Sequence, residues 1–133
     1  MQAQEELAAD EAEKAHATLK NLLTQVMTAT GDTGLSAAIV TRLHTMHAAL
    51  LKLGTAASIE VDRSTFHALS NEVLAIEQEH GNPLARPLQV IHCPMAFDDT
   101  GASWLQAPGD IANPYFGASM LRCGAVTREV AGE

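Results

Sequence analysis

The chain has 133 residues, 47% of them hydrophobic but only 4% aromatic, and a formal net charge of −8. That length is one domain's worth, and the negative balance argues against nucleic-acid phosphates or an anionic membrane surface as partners. An alanine-rich, aromatic-poor composition points to close-packed helices rather than a sheet sandwich.

The predicted elements begin with a helix over residues 5–29. Ala8, Ala12, Ala15, Leu19, Leu22 and Val26 recur at spacings of three and four, which is one helical face. Gly31 ends it. A second helix over 35–53 carries Ile39, Leu43, Met46, Leu50 and Leu53 on the same kind of stripe, with Lys52 and Gly54 as stop signals. A third, over 62–80, carries Phe66, Leu69, Val73 and Ile76 and closes at His80-Gly81 before Pro83. Ile39, Leu43, Met46, Leu50, Leu69, Val73 and Ile76 are the expected core of this scaffold.

Beyond Pro83 the periodicity stops. Residues 87–91 read as a short fourth helix or a strand, with helix preferred. From Pro94 to Gly124, five glycines and prolines (Gly101, Pro108, Gly109, Pro114, Gly117) rule out any long element. An irregular segment of that length inside a compact domain is usually functional. Trp104 and Tyr115 are its expected anchors on the scaffold. The fold class expected is therefore all-α: an antiparallel three- to four-helix bundle (about residues 5–81) with an irregular C-terminal segment (about 83–126) packed over it. Residues 1–127 form one domain and 128–133 a tail. No apolar run is long enough to span a membrane, and the N-terminal residues lack the pattern of a signal peptide.

The chemistry is concentrated in that last third. Both cysteines, Cys93 and Cys123, lie there, each with a methionine within three residues (Met95, Met120), and His92 precedes the first. Thiolate and thioether are soft donors that select Cu(I), and imidazole is tolerated beside them. His92, Cys93, Met95, Met120 and Cys123 are therefore the candidate metal ligands. Two other readings compete. The cysteines can form a disulfide, worth about 3–4 kcal/mol by loop entropy, in a stapled interaction module without metal. One of them can act as a nucleophile with a histidine base, but no orienting group or oxyanion site accompanies it, so the chain is not expected to be an enzyme. His44 and His47, three apart on the second helix, can share a metal but read better as half-buried boundary residues. His16, His67 and His80 read as surface or helix-end residues, and Asp98-Asp99-Thr100-Gly101 has turn chemistry.

Four spaced runs carry a resemblance: His92-Cys93-Pro94-Met95-Ala96, Gly101-Ala102 with Trp104-Leu105, Asn113-Pro114-Tyr115-Phe116-Gly117, and Met120-Leu121 with Cys123-Gly124. In this order they resemble a bacterial domain of unknown function, found free-standing in the periplasm or at the C terminus of CusB-like adaptor (membrane fusion) proteins of copper and silver efflux pumps. The similarity covers about residues 88–126. It implies an exported protein whose signal peptide has been removed, and heavy-metal handling centred on the cysteine–methionine motif. Silver joins copper as a candidate ion, with an efflux-pump adaptor or a metallochaperone as protein partner.

Overall fold

The computed structural model describes residues 1–133. Four helices, α1 (Gln2–Ala8), α2 (Ala12–Thr30), α3 (Ala37–Leu50) and α4 (Ile59–His80), precede a small sheet. Its strands are β1 (Leu88–Cys93), β2 (Ala102–Gln106) and β3 (Ala125–Val130), with the one-turn element α5 (Ala96–Asp99) between the first two and a 3₁₀ turn (Gly117–Ser119) before the third. The order is β2-β1-β3, antiparallel throughout. The fold is thus mixed α/β, and the expectation of an all-α bundle is corrected by this three-stranded sheet.

The physical reason lies in residues 87–93. Six residues make a marginal helix, whereas β-branched Val90-Ile91 suit a pleated, buried surface, and Pro87 stands just outside the strand. The partner β2 alternates buried and half-buried positions along Ala-Ser-Trp-Leu-Gln, a period of two hidden among the flanking glycines and prolines. The residues expected as a tail include the end of β3, where Val130 is buried opposite Leu88.

The predicted helices are present with altered ends. Ser58 caps α4 by accepting from the Val61 N–H, and Ser36 caps α3 by accepting from Ile39; such caps satisfy amides that have no intrahelical partner. The first predicted helix is cut in two at Asp10, whose φ of 58° is left-handed. The helical core joins Ala3, Leu19, Val26, Leu50, Leu53 and Leu69. Of the core expected from spacing, Leu50 and Leu69 are buried, while Leu43 and Met46 pack against it half-buried. Ile39 and Ile76 are also half-buried, and Val73 is 39% exposed.

α4 is the shared element, packing against α1, α2 and α3 on one side and β2 on the other. Its Phe66 touches both the helical core and the sheet core of Ile91, Cys93, Ala96, Ala102, Trp104 and Tyr115. Farther along, Glu77 accepts a two-pronged ion pair from Arg128 of β3. No helix is long and apolar enough to cross a membrane.

Candidate metal centre

Cys93 is the last residue of the central strand and is fully buried; Cys123 sits two residues before β3 and is half-buried. Their sulfurs lie 2.7 Å apart, so segments separated by the whole β2 excursion converge on one point. The first approach is set by the sheet. Cys93 pairs with Ala102 and Ile91 with Trp104, and strand alternation puts all four side chains on one face. The second is set by a turn in which the Cys123 N–H donates to the Met120 carbonyl. Gly124 follows with φ 135°, and a Cβ there would meet Ile91 at 2.9 Å and Trp104 at 3.3 Å. Only glycine lets the chain pass that close to the indole.

Asn113, fully buried, ties this turn down. Its amide donates to the Cys123 carbonyl at 2.9 Å, and its Oδ1 accepts from the N–H groups of Tyr115 and Phe116. Trp104 and Tyr115 stand edge to face at 5.7 Å, and the Tyr115 hydroxyl donates to the Ser103 carbonyl. Burial raises the Tyr115 phenol well above its ordinary range. Both expected anchors are therefore buried, although Trp104 does so as a strand residue rather than a loop residue.

The five candidate ligands are not all together. His92 lies between Ile91 and Cys93, so its ring is on the opposite face of the sheet. There its Nδ1 is 2.9 Å from Ser103 Oγ, and a Cβ on Gly101 would meet the ring at 2.9 Å. Met95 follows Cys93 by two residues and is 47% exposed. Met120 is half-buried at the opening of the Cys123 turn. No three His, Cys, Asp or Glu side chains gather anywhere to hold an ion.

The hydrogen bond to Cys93, with desolvation adding to it, pushes the Cys123 thiol up to about 11. A thiol held protonated is a weak nucleophile, but a soft ion arriving between two sulfurs displaces the proton.

Of two features beside the pair, the first shows in the sequence only as the turn chemistry of Asp98-Asp99-Thr100-Gly101 and the second was missed. Phe97, Asp98 and Asp99 have φ of 51°, 52° and 64°, one left-handed turn built without glycine. Phe97 then stacks on His67 at 4.6 Å, and burial lowers the His67 pKa. The second is a bolt to the helices. Arg63 donates to the carbonyls of Pro114 and Leu7 and to Asp10, while Asp10 accepts the Ala118 N–H at 2.8 Å. An aspartate interrupting an alanine stripe is the only trace of it in the sequence.

No protein-family model matches the chain, and no curated protein or solved structure matches it either.

Proposed function

We propose that the chain binds a soft monovalent ion, Cu(I) or Ag(I), between the thiolates of Cys93 and Cys123. The observation that carries the reading is the convergence of the only two cysteines to 2.7 Å, with an exposed methionine two residues after Cys93. Two thiolates suit Cu(I), which accepts low coordination numbers, and a thioether can add a third soft donor. His92 faces away from the pair, so the candidate third donors are the thioethers of Met95 and Met120. The ion is cargo, and the resemblance of the motif supports reading the chain as a periplasmic accessory to metal efflux or homeostasis that hands the ion to an adaptor or a metallochaperone.

Competition against a Cu(I) chelator tests the reading. Cu(I) is expected to bind far more tightly than Zn(II), Cys93→Ser to abolish tight binding, and Met95→Leu to weaken it with the fold intact, being nearly isosteric. Unchanged affinity in both variants sinks the site.

The same proximity favours a second reading, a disulfide that staples the end of β1 to the approach of β3. A thiol count on the denatured protein separates the two. Two free thiols after purification without reductant support the metal, and none supports the staple.

A further inference from the structure

The two sulfurs of the thiol pair differ in their access to solvent. Cys93 is 0% exposed and shares the sheet core with Ile91, Ala96, Ala102 and Trp104. Cys123 is half-buried and follows the exposed Arg122. A reagent from solution therefore meets Cys123 first, with Cys93 standing behind it at 2.7 Å. One sulfur is placed to take up an external group, and the other to expel it.

The backbone keeps the pair in reach during such a step. Cys93 ends the central strand, fixed by its pairing with Ala102. The Cys123 N–H donates to the Met120 carbonyl at 3.0 Å, and the Asn113 amide donates to the Cys123 carbonyl at 2.9 Å. With both segments anchored, the second sulfur acts at an effective concentration that no dissolved thiol reaches. Reactivity toward disulfides also depends on access. A half-buried sulfur admits a small, flexible disulfide more readily than the rigid surface of a folded partner.

We infer that Cys123 and Cys93 form a reversible dithiol–disulfide couple that exchanges with low-molecular-weight aliphatic disulfides, with Cys123 as the entry sulfur and Cys93 as the resolving one. The inference stands on the sulfur pair alone and does not need the metal reading. It differs from a staple in that the bond opens by the way it closed.

In the first step the Cys123 thiolate, its proton released to water, attacks one sulfur of the external disulfide R–S–S–R. A bond forms between Cys123 and that sulfur, the external S–S bond breaks, and one R–S⁻ leaves and takes up a proton. In the second, the Cys93 thiolate, its proton likewise released, attacks the Cys123 sulfur from the buried side. The other R–S⁻ departs toward solvent and is protonated. The two cysteines lose two electrons between them, and the external disulfide gains both and ends as two R–SH. Excess R–SH reverses the steps, its thiolate attacking Cys123 while Cys93 leaves.

Incubation of the reduced full chain with glutathione disulfide tests this, followed by acid quenching, mass spectrometry and a thiol count. Only the thiolate attacks, so the reaction is run at about pH 8.5. The wild type is expected to lose both thiols while retaining no glutathione, and excess reduced glutathione to restore them. Cys93→Ala should accumulate one glutathione on Cys123, whereas Cys123→Ser should react at least tenfold more slowly through its buried sulfur. Peptide mapping of wild type quenched early decides the order if a variant fails to fold: the transient glutathione should sit on Cys123. Glutathione first on Cys93, equal rates in the two variants, or a wild type that stays reduced overturns the inference. So does a wild type that keeps glutathione without closing the internal bond, or a closed bond that reduced glutathione does not reopen.

Discussion

At the scale of single residues, the thiol pair and the left-handed turn beside it are governed by different costs. With Cys123 pushed up to about 11, its thiol keeps its proton at neutral pH, and a bound ion must expel it. Each proton released makes affinity rise about tenfold per pH unit. Cu(I) affinity is therefore expected to climb steadily from pH 6 to 9 without levelling off, as read by chelator competition at fixed ionic strength. A plateau below pH 8 would contradict the protonated thiol. The turn at Phe97–Asp99 costs energy at every non-glycine residue. Asp98 is exposed and aspartate tolerates this region better than most residues. Asp98→Val should thus cost about 1–2 kcal/mol, while Asp98→Gly should cost nothing, measured by urea midpoints. The sequence reading places His16 at the surface or a helix end. It is instead buried, with Nδ1 3.0 Å from the fully buried Asp62. A pairing between residues 46 apart leaves no periodic mark in a sequence.

At the scale of elements, helices were legible because burial on one side imposes a repeat of 3.6 that survives in the spelling. The Gly81 stop is local chemistry as well and shows equally plainly, whereas the expected starts at residues 35 and 62 miss the caps Ser36 and Ser58. What spacing could not convey was depth. Leu43 and Leu50 lie on one stripe, yet Leu50 is fully buried and Leu43 only packs on the cluster's edge. Leu50→Ala is expected to cost about 2–5 kcal/mol and Leu43→Ala clearly less, in thermal or denaturant unfolding; equal losses would mean the edge is drawn wrongly. The sheet was hidden for another reason. Each strand is five or six residues long, and only the distant pairing of β1 with β2 and β3 makes it a strand. The motif residues themselves were visible at once, since soft donors are scarce elsewhere. That Cys93 and His92 face apart follows only once residues 88–93 are known to be extended. Trp104→Ala should remove the largest fully buried side chain from the sheet core, at about 3–5 kcal/mol. Amide exchange is expected to speed up across residues 88–130 more than in α2 and α3. Uniform loss of protection would show that the two cores melt as one.

At the scale of the whole molecule, the first helix and the motif segment are locked together. Gln4 donates to the Ala112 carbonyl at 2.7 Å, and Asp10 and Arg63 clasp residues 114–118. The Ala118 amide, and then Arg63, hold the Asp10 carboxyl below its usual range. A depressed carboxyl stabilises the fold above its unfolded pKa of about 3.9 and loses that contribution as pH falls through the folded value. The stability gap between the wild type and Asp10→Asn should accordingly be open at neutral pH and close on acidification below about pH 4, read from thermal midpoints. A gap independent of pH would place the effect elsewhere. The central strand carries one further consequence. Both neighbours of β1 come after it in the chain, and the helix that braces the motif comes near the start. Contacts of such long sequence separation form late. A chain that emerges amino end first can complete its four helices while Cys93 still lacks its strand partners, its aromatic cover and its sister sulfur. During that interval its thiol is open to whatever oxidant or stray ion reaches it first, and the arrival of residues 102–130 is what ends the exposure.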